Sequence, residues 1–455
     1  MIACVLLGHN FSNEVQVVAQ VFFPNSRFGF YEEVPTTGLA VVGILAGSTA
    51  TGKLYKNGQC MATSTVKEAP KQNIKRTMML AIFYALKEGT SRQTPWGALT
   101  GVRPAKQVRL WLAEGDSEAE ITERLSSIYK LRDDKIKLAI AVARAEENTI
   151  EDLAFADKKG LYIGIPFCQS RCLYCSFVTA QKAKKDAHER YLAALAKECK
   201  KINPAGINTV YIGGGTPTAL SERELETLLE IATPFVGGVE YTVEAGRPDS
   251  LTREKLYLLK DYGVTRIAIN PQTLNDGTLE RIGRSHTARD FYKAYEMAQQ
   301  IGFTNINTDV IAGLPGEGPE DMLCTMQGLQ KLAPPHITVH TLAVKRASRL
   351  NEHLESYDAA ESETVDAMLN IAREICEDIG LAPYYMYRQK NMVGHFENVG
   401  YSLKGSECIY NVAMMAETQT VIAVGAGAVS KIIEGDLIRR EFNPKDVEIY
   451  IERMS

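Results

Sequence analysis

The 455-residue chain has no apolar run approaching the roughly 18 residues that a membrane span requires. Its start, MIACVLLGHN, has a short apolar run with no basic segment before it and no cleavage site after it. It reads as a first buried strand and not as a targeting signal. Charge of one sign is also missing. The 51 Lys and Arg against 55 Asp and Glu leave a formal charge of −4. That balance gives no reason to expect nucleic acid or an anionic membrane surface as the main partner. Low-complexity tracts and long internal repeats are absent. With 45% hydrophobic and 23% charged residues the chain is not disordered, and its length suggests about two to four domains. Nine cysteines are too few for a disulfide scaffold and, being odd in number, cannot all pair. A cytoplasmic location is expected, where thiols stay reduced and clustered cysteines signal metal or catalysis.

The first 65 or so residues read as short strands, among them Val15 to Phe23 and Leu39 to Ala46. From about Asn73 the period becomes helical, with Met78, Met79, Ile82, Phe83 and Leu86 on one face. Helical patterns continue to about Thr149. This predicts a β-then-α N-terminal domain over residues 1–155, with a polar linker at 150–160. From Leu161 strands alternate with helices, the strands being Leu161–Pro166, Thr209–Gly213, Val239–Glu244, Thr265–Asn270, Asn305–Ile311 and Ile337–Leu342. Repeated β-α units imply a parallel sheet with helical crossovers over residues 156–350. Six units fall short of a closed eight-stranded barrel, so a partial barrel or an open sheet is expected. In either, ligands sit at the C-terminal ends of the strands. A helix at Glu361–Glu377 then leads into strand-like pieces, a C-terminal extension over 351–455 expected to cover the substrate side.

The sharpest signal ends the first strand of the β-α series: Ile165-Pro166-Phe167-Cys168-Gln169-Ser170-Arg171-Cys172-Leu173-Tyr174-Cys175. Zinc sites use paired CxxC or Cys/His sets, and no partner pair or nearby histidine supplies a fourth ligand here. Three thiolates on a four-iron cluster, which normally takes four, leave one iron open to a small molecule. That is the arrangement of the radical S-adenosylmethionine (SAM) enzymes, and these residues resemble that superfamily, as does Tyr174 just before the third cysteine. The resemblance implies a [4Fe–4S] cluster on Cys168, Cys172 and Cys175, and reductive cleavage of SAM to a 5′-deoxyadenosyl radical. The other cysteines, Cys4, Cys60, Cys199, Cys324, Cys376 and Cys408, show no ligand spacing and read as small buried residues.

Further motifs end the later strands. Tyr211-Ile212-Gly213-Gly214-Gly215-Thr216-Pro217-Thr218 closes the second, where free amides and carbonyls can hold an amino acid's amine and carboxylate. Glu244 closes the third, where a carboxylate can accept from ribose hydroxyls. Gln272 follows the fourth, and Arg284 lies in Arg281-Ile282-Gly283-Arg284-Ser285-His286-Thr287. Asp309 sits inside the apolar fifth strand, ahead of Gly313-Leu314-Pro315-Gly316, where an acid is unfavourable unless hydrogen-bonded. His336 and His340 read as core or loop residues.

Together these motifs, in this order over roughly residues 158–430, resemble the oxygen-independent coproporphyrinogen III oxidase-like branch of the superfamily. Within it, Thr94–Pro104, Tyr384–Asn391, Glu397–Tyr401 and Gly425–Ser430 look most like the HemZ type, a coproporphyrinogen dehydrogenase variant with an extra N-terminal domain. The resemblance implies a partial (β/α)6 barrel. It also implies SAM contacts at Tyr162, Phe177, Gly214, Gly215, Thr216, Glu244, Gln272, Arg284 and Asp309, with Tyr162 and the three cysteines as catalytic residues. The anaerobic oxidase type has a fourth cysteine where Phe177 stands and a histidine where Gly164 stands. The phenylalanine is shared with the haem-chaperone type.

The implied activity is oxidative decarboxylation of coproporphyrinogen III propionates to vinyl groups, giving protoporphyrinogen IX. A tetra-anionic tetrapyrrole needs local cations, for which Arg247, Lys345, Arg346 and Arg388 are the candidates. A flavodoxin- or ferredoxin-like one-electron donor and a monomeric state are expected. Alternatives on the same scaffold are a haem chaperone, a radical methyltransferase and a porphyrin-opening enzyme.

Overall fold

The computed structural model describes all residues except 25, 69–72, 153–156, 177–185, 345–347, 353–359, 390–391, 436 and 455, and the side chains of 351 and 352. The chain divides into two compact units, residues 1–140 with 388–391, and residues 141–387 with 392–455. The division falls at Ile140, inside a helix, and not near residue 155. The C-terminal residues share a unit with the β-α series and do not form a third one.

The first unit begins with β1 (Ile2–Leu7), α1 (Ser12–Phe22), β2 (Phe28–Tyr31), β3 (Leu39–Ala46), β4 (Thr49–Lys56) and β5 (Gln59–Lys67). The sheet order is β2-β1-β3-β4-β5, with β1 parallel to both neighbours and β3 to β5 an antiparallel meander. The apolar run from Val15, expected as a strand, is instead α1. Its buried residues Val15, Val18, Ala19 and Phe22 recur at helical spacing, and that period outweighs the β-branched composition. The helix α2 (Ile74–Thr90) starts at Asn73, whose side chain accepts from the Arg76 amide. It is followed by α3 (Pro104–Ala113), α4 (Glu118–Ser127) and α5 (Asp133–Asp152).

The second unit carries β6 (Lys159–Ile165), α6 (Ala187–Cys199), β7 (Ile207–Gly214), α7 (Glu222–Ala232), β8 (Glu240–Gly246), α8 (Arg253–Asp261), β9 (Arg266–Ile269), α9 (Asp276–Arg281), α10 (Ala288–Ile301), β10 (Ile306–Ala312), α11 (Pro319–Leu332) and β11 (His336–Thr341). It continues with α12 (Arg349–Glu352), α13 (Ser362–Asp378), β12 (Ala382–Tyr387), β13 (Asn398–Ser402), α14 (Ile409–Ala416), β14 (Thr420–Val424), β15 (Val429–Glu434), β16 (Leu437–Phe442) and α15 (Val447–Met454). Strands β6 to β11 pair in chain order and all run parallel, the six β-α units expected of a (β/α)6 core. Most of their residues are buried, polar ones such as Thr209, Thr308 and Thr338 included, as expected of strands covered on both faces. The extension adds strands at both edges. β13 and β12 continue antiparallel from β11, while β14 lies parallel beside β6 and leads into antiparallel β15 and β16. The common direction of β6 to β11 and β14 brings their C-terminal ends to one rim. No helix among the described residues is long and apolar enough to cross a membrane.

Candidate cofactor site

The cysteine loop leaves β6 at Ile165 and is held from several sides. Leu173 is buried with Leu279, Ile282, Ile311, Leu314, Leu342 and Leu350. Its amide donates to the Ile282 carbonyl and its carbonyl accepts from the Leu350 amide, both at 2.9 Å. Ser170 Oγ donates to the Gly283 carbonyl at 3.2 Å. A turn bonds the Cys175 amide to the Cys172 carbonyl at 3.1 Å. None of the three is in a disulfide, and all are half-buried. The Cys168 sulfur lies 3.3 Å from Thr216 Oγ1, and burial pushes its thiol up to about 11. Among the described residues, no three His, Cys, Asp or Glu side chains converge on a point that a single ion could occupy. A four-iron cluster takes each thiolate on a separate iron, and three thiols in one loop suit such a group.

The glycine turn after β7 braces this loop. The Gly215 and Thr216 amides donate to the Ile165 and Phe167 carbonyls, each at 2.7 Å, and the Gly214 amide donates to Glu244 Oε2 at 3.2 Å. A Cβ on Gly215 would stand 2.4 Å from the Phe167 carbonyl oxygen. The amides expected to be free for a ligand are therefore spent on the chain itself, and Gly215 is required by close backbone packing.

Glu244, at the end of β8, accepts from Tyr211 Oη at 2.6 Å. Burial and the charge of Asp309 push its carboxyl up to about 7 against the pull of the Tyr211 bond. Tyr211 stacks on Tyr410 with ring centroids 4.4 Å apart, and Tyr162 stacks on both at 6.2 Å. The phenols of all three are raised by burial and by the Glu244 charge. Tyr211 and Tyr410 were silent in the sequence, since nothing in a strand tyrosine or a helix tyrosine announces a shared stack.

Gln272 follows β9 in a left-handed conformation, φ 68°, unusual for a residue with a side chain. Its amide donates to the Asp309 carbonyl at 2.9 Å. Its side chain is buried, and its Oε1 has no partner among the described residues. A buried acceptor in that state fits a donor on a bound ligand. Arg284 donates to Tyr174 Oη at 3.0 Å and to the Asn270 and Gly246 carbonyls at 2.9 and 3.3 Å. It thereby ties the cysteine loop to the ends of β8 and β9. In β10, Asp309 Oδ1 accepts from Asn307 at 2.7 Å and its Oδ2 lies 3.6 Å from His340 Nε2 of β11. Burial would raise this carboxyl, but the contact with His340 outweighs it and the group is lowered. His340, read from sequence as a core or loop residue, thus belongs to the rim of acids. His336 is a core residue, pushed down to about 2 by burial and by Arg266.

At the outer edge, the Gly425 and Ala426 amides after β14 donate to Glu198 Oε2 and Tyr191 Oη at 2.9 and 3.0 Å. Tyr191 in turn donates to the Gly164 carbonyl at 2.5 Å. The Gly425 stretch thus returns to the end of β6. A Cβ on Gly425, φ +97°, would lie 2.5 Å from the Gly164 oxygen.

The candidate cations fare differently. Arg247 turns to the cysteine loop and to Asp249, not to an open cavity. Arg388 belongs to the first unit. Its amide donates to Val102 and its Nη1 to the Leu99 carbonyl, with the guanidinium 5.6 Å over Trp96. Phe177, Lys345 and Arg346 lie outside the described residues. Among the remaining cysteines, Cys4, Cys199, Cys376 and Cys408 are buried as expected, whereas Cys60 and Cys324 are exposed.

A model of the radical SAM superfamily matches residues 162–327. The oxygen-independent coproporphyrinogen-III oxidase-like protein HemZ of Bacillus subtilis (strain 168) is 40% identical over 403 residues, 86% of this chain and 80% of that protein. The haem chaperone HemW of Lactococcus lactis subsp. lactis (strain IL1403) is 31% identical over 271 residues, 59% of this chain and 68% of that protein. The structure of coproporphyrinogen III oxidase (HemN) from Escherichia coli, a radical SAM enzyme, matches with a TM-score of 0.53 at 20% identity, over 68% of this chain and 72% of that one. That likeness is one of fold. The parallel core and its cysteine rim are those of a radical SAM protein, for which a [4Fe–4S] cluster and SAM are the cofactors. The chain belongs to the family of the oxygen-independent coproporphyrinogen-III oxidase-like protein HemZ.

Proposed function

We propose that the protein catalyses oxidative decarboxylation of coproporphyrinogen III propionates to vinyl groups. The observation that carries this reading is the 40% identity to HemZ across both units of the chain. When bound, the cluster and SAM supply a 5′-deoxyadenosyl radical, a hydrogen-atom acceptor. The chain's own residues bind and orient. Cys168, Cys172 and Cys175 hold the irons. Glu244, when ionised, and Gln272 Oε1 accept from the nucleoside's hydroxyl and amino groups. Asp309, kept ionised beside His340, does the same from β10. Arg284 sets the height of the cysteine loop through Tyr174. Tyr162, stacked on Tyr211 and Tyr410, walls the cofactor from water. The cations proposed for the propionates are Lys345 and Arg346, which follow β11. Each turnover removes one hydrogen atom from the propionate carbon next to the pyrrole. Loss of CO₂ and one electron to an external acceptor then leaves the vinyl group. A flavodoxin- or ferredoxin-like donor, a monomeric state and a cytoplasmic setting complete the reading.

The similarity to HemW favours a second reading, a haem chaperone on the same scaffold. One anaerobic experiment separates them: reconstituted protein with SAM, reductant and coproporphyrinogen III, followed by product analysis. Vinyl-bearing porphyrinogen supports the decarboxylase. Its absence, together with transfer of bound haem to an acceptor, supports the chaperone.

A further inference from the structure

We propose that Arg247 is a positioning residue for the iron–sulfur cluster, its guanidinium holding the Ser170–Cys172 segment and raising the cluster's reduction potential through the Cys172 sulfur. This concerns the cofactor and is independent of which substrate the protein takes.

Arg247 follows β8 and is 3% exposed. Its planar fork is fixed on one side by Asp249, with Nε to Oδ1 at 3.0 Å and Nη2 to Oδ2 at 2.8 Å. That leaves Nη1, which donates to Ser170 Oγ at 2.8 Å and to the Ser170 carbonyl at 3.4 Å, and lies 3.9 Å from Cys172 Sγ. His286 Nδ1 stands 3.8 Å from Asp249 Oδ1, beyond hydrogen-bond reach. The backbone is pinned too, since Ser250 Oγ donates to the Arg247 carbonyl at 2.7 Å. The guanidinium therefore has one orientation, with its cationic edge toward a cluster-ligating sulfur and its counter-charge on the far side. Reduction adds a negative charge to a cluster already made anionic by thiolates. A nearby fixed cation and an N–H directed at sulfur stabilise the reduced form more than the oxidised one. A lysine has no such fork and cannot hold Asp249 and the loop together.

The test uses full-length protein reconstituted anaerobically, without tetrapyrrole. Iron and sulfide content report loading, and a redox titration followed by electron paramagnetic resonance reports the midpoint. Arg247→Gln is expected to load iron and to shift the midpoint to more negative values. Arg247→Lys, which keeps the charge and loses the fork, should fall between the two. A fully loaded Arg247→Gln protein with the wild-type midpoint overturns the proposal, because a residue that only shaped the loop would leave that value unmoved. Should Arg247→Gln take up no iron, Asp249→Asn decides. It keeps the guanidinium and removes its counter-charge, so the midpoint must move to more positive values, and an unchanged one overturns the proposal. Absence of decarboxylation by the unmutated protein in the separate anaerobic assay, with the midpoint shift of Arg247→Gln present, would count against the proposed function and leave this inference standing.

Discussion

Tyr211 Oη and Glu244 Oε1 lie 2.6 Å apart, joining neighbouring strands β7 and β8 on the rim that holds the cysteine loop. The phenol donates, so the bond favours the ionised carboxylate, yet burial and Asp309 still push Glu244 up to about 7. A carboxyl raised in the folded state contributes stability that is fully present below its ordinary value of 4.5 and is lost as pH rises through about 7. Glu244→Gln should flatten that window in chemical denaturation, where the contribution of the native glutamate changes by at most about 1.4 kcal/mol per pH unit. A variant with the wild-type pH slope would count against the raised carboxyl.

Glu244 should also govern cofactor binding. Loss of a hydrogen bond to a charged acceptor is worth about 1.5–3 kcal/mol. Glu244→Gln should therefore weaken SAM binding by roughly tenfold or more in equilibrium dialysis at pH 8, and wild-type affinity should fall on acidification through pH 7. Equal affinities at pH 8 would exclude the proposed ribose contact.

Cys168→Ala should abolish the cluster and all reductive cleavage of SAM, measured as iron content and 5′-deoxyadenosine. Normal 5′-deoxyadenosine formation by this variant would sink the ligand assignment.

Gly215→Ala places a methyl group 2.4 Å from the Phe167 carbonyl, a backbone atom that cannot swing aside. The expected result is a loss of about 1–3 kcal/mol of stability and reduced iron uptake, because the displaced residue immediately precedes Cys168. Wild-type stability and iron content together would show that the turn yields at no cost.

Arg284→Met leaves the Asn270 carbonyl and Tyr174 Oη without their donor. Stability should drop by about 2–4 kcal/mol. Cysteine-loop protection in hydrogen exchange should fall with it, and unchanged protection at Leu173 would refute the tie.

The six parallel strands were legible because short β-branched segments bounded by turn residues alternate with amphipathic helices. Their side-chain period carries the information locally. The segment Ser12–Phe22 misled because its β-branched composition and its helical period point opposite ways, and burial of Val15, Val18 and Phe22 obeys the period. The rim acids Glu244 and Asp309 could be placed, since an acid at a strand end or within an apolar strand is conspicuous. The direction of Arg247 could not. A basic residue after a strand can face a cavity or fold back on a loop, and only Asp249 and Ser170, brought together by the fold, decide it. His340 and Tyr211 were unreadable for the same reason, each being defined by a partner on the adjacent strand.

The pairing of β14 with β6 has a consequence for biosynthesis. Lys159 lies opposite Thr420, so the strand that leads into the cysteine loop waits for more than half the chain to be translated before its outer neighbour exists. Until then one flank of β6 offers unpaired backbone to any passing strand, the kind of exposure that chaperones shield during synthesis. The rim beside Gly164 is likewise incomplete until Gly425 has left the ribosome.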